Sequence, residues 1–239
     1  MGFKVDNRIE VLYEDNHFIA INKKPGQIVQ GDKTGDTPLP ELIKLFLKEK
    51  YNKPGNVFCG VIHRIDRPVS GVCLFAKTSK ALARMNEVFH NRDVQKIYWA
   101  VVKNKPVLPE QKLVHYLMKN EKTNKTKAHS NEIKGSKKAE LEYKQIISSE
   151  NYYLLEVYPH TGRHHQIRSQ LSAINSPIKG DIKYGFDRTN NDASIHLHAR
   201  KLIFSHPITG NMITITAPVP DEKLWKYFES EFSNNIRNI

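Results

Sequence analysis

The chain has 239 residues, 39% of them hydrophobic, with 12 Gly and 12 Pro. That is enough apolar material for one large mixed domain, and it excludes a disordered or collagen-like chain. Thirty-seven Lys and Arg against 25 Asp and Glu leave a net charge of +12, which favours an anionic partner through steering and counterion release.

The N-terminal MGFKVDNRIE has no apolar signal core, and no run approaches the length that crosses a membrane. Gly2 follows Met1, yet the sixth position is Asp6 rather than the Ser or Thr of a myristoylation signal. The cytoplasm is the expected location. Residues 9 to 23 read as two short strands around Glu14-Asp15-Asn16, followed by the Gly- and Pro-punctuated loop KKPGQIVQGDKTGDTP. LPELIKLFLKE is an amphipathic helix with Leu42, Leu45 and Phe46 on one side. Next come two apolar runs, VFCGVI and GVCLFA, which carry Cys59 and Cys73. Both cysteines read as buried small hydrophobes in a reducing compartment.

SKALARMNEVFHNRD places Leu82, Met85, Val88 and Phe89 at helical spacing, and QKIYWAVVKN returns to strand character. The lysine-rich stretch from 118 to 138 is expected to be mobile, because Asn120, Asn124, Gly135 and Ser136 interrupt both helix and strand. AELEYKQIISSENYYLLEVYPHT is a hairpin turning at 148–151. Residues 162 to 175 read as a helix with Ile167, Leu171 and Ile174 inward, followed by the turn SPIKGDIKYG. IHLHARKLIF and MITITAPV are two further strands, and DEKLWKYFESEF is a last helix with an acidic first turn that buries Leu224, Trp225 and Phe228. The irregular alternation fits an α+β domain, a mixed and largely antiparallel sheet with flanking helices, better than a doubly wound parallel sheet.

Between VFCGVI and GVCLFA, the polar turn holds Arg64 and Asp66, punctuated by Pro68 and Gly71. A carboxylate held on a turn by core strands suits a nucleophile or base, and the same spacing also suits a plain Arg64–Asp66 salt bridge. In TGRHHQIRSQL, Arg163 and Arg168 flank a helix start, where free N–H groups and the dipole favour anions, be they phosphate or a catalytic carboxylate. The histidines at 160, 164, 165, 196, 198 and 206 lack the Cys or carboxylate partners of a recognisable zinc set. No dinucleotide fingerprint or triphosphatase loop appears either, so neither a metal nor a cofactor is expected. The lysines from Lys103 to Lys138 form one broad basic stretch, read either as a grip on an anionic backbone or as a solvated hairpin.

Several of these blocks resemble the RluA family of pseudouridine synthases. HRIDRPVSGVCLFAK resembles the family's catalytic motif, KIYWAV its K-x-Y strand, and TGRHHQIRSQL followed by SPIKGDIKYG its TGRTHQIR and PI-x-GD-x-x-YG blocks. LHARKLIFSHPITG and ITAPVP match the closing blocks, so the resemblance runs from about residue 10 to residue 221. It implies a pseudouridine synthase-like fold with a central catalytic cleft: one catalytic domain over 1–239, made of two intimate subdomains and without a separate N-terminal RNA-binding domain. It implies conversion of specific uridines to pseudouridine in structured RNA, ribosomal or transfer, without cofactor, membrane or obligate protein partner.

By the same resemblance Asp66 is the catalytic aspartate, Tyr98 the ring against the target uracil, and Arg168 the arginine that pairs with the aspartate. Arg64 helps hold the surroundings of the flipped nucleotide and Leu197 lines the base pocket; Lys24 and, from its place at the helix start, Arg163 are expected to bind substrate. Lys24 or Lys23, with Pro25 and Gly26, resembles the N-terminal KP-x-G motif. The chain departs from the family pattern at Ile65, Pro68, Val69, His164 and Gln30, and Val69 removes a hydroxyl beside the catalytic turn. A noncatalytic RNA-binding protein would share the charge but not need the aspartate, and a base-releasing glycosylase would share the aspartate but differ in product.

Overall fold

The computed structural model describes residues 9–31 and 34–237. The segment read above for a signal and for myristoylation lies outside them. The chain runs β1 (Val11–Glu14), β2 (Phe18–Lys23), α1 (Leu39–Lys50), β3 (Gly60–Val61), β4 (Ser70–Ala76), α2 (Ser79–Asn91), β5 (Val94–Val102) and β6 (Glu110–Asn120). It continues through β7 (Lys125–His129), β8 (Lys137–Ser148), β9 (Tyr153–Pro159), α3 (Gln166–Ala173), a 3-10 turn (Ile182–Tyr184), β10 (Leu197–Ser205), β11 (Met212–Thr216) and α4 (Lys223–Arg237). The class is the expected one, mixed α+β with a largely antiparallel sheet flanked by helices. No helix among the described residues is long and apolar enough to cross a membrane. The chain divides into two compact units, Met1–Gln95 with Ala199–Pro218 and Lys96–His198 with Val219–Ile239.

In the first unit β1, β2, β4 and β10 lie side by side, with β3 on β4 and β11 on β10. The turn between β1 and β2 is held by Asp15, whose Oδ1 accepts the N–H groups of His17 and Phe18 at 2.7 and 2.6 Å. One sheet face packs Phe18, Val72, Leu74, Leu202 and Phe204 against Ala81 and Met85 of α2. The other packs Ile19, Ile21, Cys73 and Phe75 against Leu39, Leu42, Ile43 and Leu47 of α1. Leu45, expected on the inner side of α1, is instead 59% exposed. Leu42 and Phe46 pack inward as expected, together with Ile43 and Leu47. Thr78 caps α2 by accepting the Ala81 N–H at 3.1 Å. Cys59 and Cys73 are buried and free, and burial pushes both thiols up to about 12.

In the second unit the antiparallel order is β5-β9-β8-β6-β7. Side chains alternate across it, so the pairings His115↔Ala139, Tyr143↔Val157 and Tyr98↔Val157 put His115, Tyr143 and Tyr98 on one face. That face carries α3, whose Gln170 Nε2 reaches the Leu113 and Ala139 carbonyls at 3.3 Å and His115 Nδ1 at 3.1 Å. Trp99, Val101 and Leu154 face the other way and bury Trp225 and Phe228 of α4. Asp221 and Glu222 precede α4 rather than filling its first turn, and Glu222 Oε2 accepts the Leu224 and Trp225 N–H groups at 3.0 and 3.2 Å.

The lysine-rich stretch is not the mobile segment expected from its breakers. Residues 110–129 are the β6–β7 hairpin, and β8 begins at Lys137. The supposed breakers make the turns: Asn120 Oδ1 accepts the Lys122 and Thr123 N–H groups at 3.0 and 3.1 Å, and Asn124 takes φ 48°. Helix α3 starts at Gln166, four residues after the expected start. Thr161 Oγ1 donates to Gln166 Oε1 at 2.7 Å, and the Arg163 N–H reaches the same oxygen at 3.0 Å, so these residues form a side-chain-tied turn. His165, at φ 50°, enters the helix.

Candidate active site

The candidate residues fall on both units, and in each unit they are positioned by that unit's own sequence blocks. In the first unit Asp66 stands on the segment between β3 and β4. His63 anchors the start of that segment: its Nε2 accepts the Leu74 N–H at 3.0 Å, and its ring stacks on Phe89 with centroids 5.2 Å apart. Ile65 is buried and Arg64 points outward, so Asp66 follows at half-burial. The Val69 N–H then donates to the Asp66 carbonyl at 3.0 Å and closes a four-residue turn. Val69 itself is 2% exposed. Val69, which departs from the family pattern, is thus an apolar anchor of the turn.

Beneath the turn lies Lys23, with 0% exposure. Its Nζ donates to the carbonyls of Val69 at 2.7 Å, Arg67 at 3.0 Å and Lys24 at 3.2 Å, matching three N–H donors to three acceptors. The Gly26 N–H adds a bond to the Arg67 carbonyl at 2.9 Å. The KP-x-G block is therefore the floor of the HRID turn, and Lys23 rather than Lys24 is the lysine that supports it. Lys24 is exposed, and its N–H meets Gln27 Oε1 at 2.8 Å. Burial brings the Lys23 ammonium down to about 8, against the opposing pull of Cys73 and Asp66. Arg64 is exposed and donates to Gln30 Oε1, so the glutamine that departs from the family pattern has a partner in the same motif pair.

Gly71 makes this geometry possible. It has φ +112°, and a Cβ there would sit 2.3 Å from the Ala199 carbonyl oxygen. Only glycine lets β4 leave the Asp66 turn this close to β10.

In the second unit Tyr98 stands on β5, half-buried, on the sheet face that carries α3. Arg168, 5% exposed on α3, donates through Nε to Asp181 Oδ2 at 2.7 Å and through Nη2 to Asp181 Oδ1 at 2.9 Å. This is a bidentate, fully buried pair, in which both carboxylate oxygens meet the single guanidinium edge formed by Nε–H and Nη2–H. The Arg168 Cζ lies over the Tyr184 ring, 4.9 Å from its centroid. Leu197 is 3% exposed at the start of β10. Arg163 is exposed, its Nε on the Lys138 carbonyl at 3.2 Å. His196 and His198 pack on Trp225, with centroids 5.1 and 5.8 Å away, as core side chains.

Asp181 and Tyr184 were matched above as part of a block but given no role, and Thr126 was hidden among lysines. The block spacing GD-x-x-YG was the available signal. Gly180 (φ +86°) and Gly185 (φ +98°) bracket the four-residue segment that carries Asp181 and Tyr184.

The family model of RNA pseudouridylate synthases matches residues 17–173. A tRNA pseudouridine synthase C from Pasteurella multocida is 32% identical over 234 residues, covering 90% of this chain and 93% of the relative. Its counterpart in Haemophilus influenzae is 31% identical over 242 residues, covering 94% and 98%. The solved structure of human RNA pseudouridylate synthase domain containing 4 shares the fold, with a TM-score of 0.76 at 22% identity over 94% of this chain and 93% of the human one. These relatives correct the placement in the RluA family. They are tRNA pseudouridine synthase C proteins, and the chain sits with that subfamily. Short blocks carried the RluA resemblance, whereas identity over nearly the whole chain places the subfamily. The chain belongs to the RNA pseudouridylate synthase family and is an enzyme that isomerises uridine to pseudouridine in RNA.

Proposed function

We propose that the RNA is a transfer RNA, and that Asp66 is the group that acts on the target nucleoside. The first part is supported by the relatives, tRNA pseudouridine synthase C from two organisms at about a third identity over nearly the whole chain. The second is supported chiefly by the floor under Asp66: a turn closed by main-chain bonding and propped by a wholly buried ammonium. A salt bridge for stability alone needs no such floor, whereas a reacting carboxylate needs a fixed position.

The reaction breaks the C1′–N1 bond, turns the uracil and joins C5 to C1′. C5 gives up its proton and N1 gains one, so atoms and electrons balance without oxidant or reductant. In this reading Tyr98 offers its ring to a base taken out of its stack, and Arg168 supplies a cation whose orientation Asp181 holds. A mass-silent conversion separates this from base release, which liberates uracil. The test is chemical mapping of pseudouridine in all cellular RNAs with and without the gene, followed by reaction of the purified enzyme on the mapped RNA. Loss of one transfer-RNA pseudouridine is expected. A lost site in ribosomal RNA, or free uracil in the purified reaction, overturns the proposal.

A further inference from the structure

Both arginines beside Asp66 reach side chains that lie between β2 and α1. Arg64 donates to Gln30 Oε1. Arg67 donates through Nη1 to Thr34 Oγ1 at 2.9 Å and through Nη2 to Asp36 Oδ2, and the Thr34 hydroxyl donates to that same carboxylate oxygen at 3.0 Å. The side chains of Arg67 and Asp36 are 41% and 51% exposed. The main chain of Arg67 is held separately: its carbonyl accepts from Lys23 Nζ at 3.0 Å and from the Gly26 N–H at 2.9 Å. Arg67 is therefore fixed at its backbone, while its charged end meets an acid at the surface.

An ion pair this exposed is worth roughly fivefold at most in an equilibrium, so it opens at little cost. It stands one residue from Asp66. An RNA whose uridine reaches Asp66 brings the phosphates flanking that nucleotide to the surface around the turn, where Lys24, Arg64 and Arg67 are exposed. A phosphate diester presents two oxygens and one negative charge, as a carboxylate does, and meets a guanidinium fork in the same way. The Asp36 carboxylate competes for that fork and repels the RNA backbone.

We propose that Arg67 binds a phosphate beside the target uridine, and that Asp36 holds its guanidinium until the RNA takes its place. The inference rests on Asp66 being the group that acts on the nucleoside.

The test measures Kd for the mapped RNA over a range of salt, kcat and KM for pseudouridine formation, and thermal unfolding. The variants are Arg67→Gln, Arg67→Lys, Asp36→Asn and, as a charge control, Glu41→Gln, whose carboxylate pairs with Lys44 at 2.8 Å. Arg67→Gln should raise Kd about tenfold and flatten the slope of log K against log salt by about 1. Its kcat should stay within about twofold, because the main-chain bonds to residue 67 remain. Arg67→Lys keeps the charge without the fork and should bind within about threefold of wild type. Asp36→Asn should lower Kd about threefold, the opposite sign to Arg67→Gln. A pair that merely ties two segments together would give both changes the same sign, and that result overturns the proposal. So does an equal gain from Glu41→Gln, which would be a general charge effect, or a loss in Arg67→Gln that falls on kcat alone. If Arg67→Gln unfolds at the assay temperature, Asp36→Asn at wild-type or weaker affinity overturns the proposal by itself. Full rate in a folded Asp66→Asn would instead move the reaction away from this turn, a failure of the underlying reading and not of the phosphate contact.

Discussion

Lys23 donates its buried ammonium to the Val69 carbonyl at 2.7 Å, joining two blocks 46 residues apart in sequence. The lysine of the N-terminal block is thereby part of the turn that presents Asp66. This bond has thermodynamic and chemical consequences, and both can be measured.

Replacing Lys23 by Met keeps the stem and removes the three donors. The stranded carbonyls of Val69, Arg67 and Lys24 should cost about 2 kcal/mol or more, since a bond to a charged donor is worth roughly 1.5–3 kcal/mol. The pH dependence has a definite sign. The folded pKa of Lys23 is depressed to about 8 from 10.5. Between these values the unfolded chain binds more protons, so this group's contribution to stability rises as pH rises from 8 towards 10.5. In chemical denaturation the wild-type protein should gain on Lys23→Met across that window. A difference flat in pH would mean that the ammonium is hydrated.

Asp66→Asn keeps the size of the side chain and the main-chain bond from Val69, so the fold and RNA affinity should stay close to wild type. Removing the reacting group should lower single-turnover pseudouridine formation roughly a thousandfold or more. Near-wild-type turnover of the purified variant would end the assignment of Asp66.

Tyr98→Phe retains the ring, and Tyr98→Ala loses it. Base–aromatic stacking is worth about 1–3 kcal/mol, so Ala should slow single turnover by roughly ten- to hundredfold, with Phe close to wild type. If Phe is as damaging as Ala, the hydroxyl carries the function. Slight and equal effects would take Tyr98 out of the site.

Gly71→Ala puts a methyl 2.3 Å from the Ala199 carbonyl oxygen at φ +112°. Strain of that backbone region and overpacking each cost about 1–3 kcal/mol, so the variant should lose at least about 2 kcal/mol in a denaturant titration. A loss below about 1 kcal/mol would show that β4 and β10 can part without penalty.

The exposed lysines Lys122, Lys127, Lys134 and Lys137 should grip RNA backbone rather than read bases. Changing all four to Gln should weaken target and non-target RNA alike and flatten the slope of log K against log salt, by up to about 3 if each meets a phosphate. A loss confined to the target RNA at unchanged slope would indicate base readout. Unchanged binding to both would leave the hairpin a solvated one.

The strands, the helices and the Asp66 turn were legible in the sequence because they rest on local rules. Short apolar, β-rich runs mark β4 and β5, helical spacing marks α2, and Pro and Gly mark the turn at 66–71. Local rules also misled where one residue type serves two ends. Asn120 and Asn124 read as breakers of structure, yet they close the β6–β7 hairpin because strand pairing, a non-local term, decides what a turn residue turns.

The choice between Lys23 and Lys24 was open for a similar reason. Lys23 is the last residue of β2 and Lys24 the first beyond it, and only the packing of β2 under the Asp66 turn decides which ammonium loses its water. The same holds for Asp181 against Arg168, Tyr184 against Thr126, and Gly71 against Ala199. Composition and motif blocks determined the chemistry this protein carries. Which side chains hold that chemistry in place was settled only by tertiary structure, because burial and close approach are properties of pairs that the chain brings together by folding.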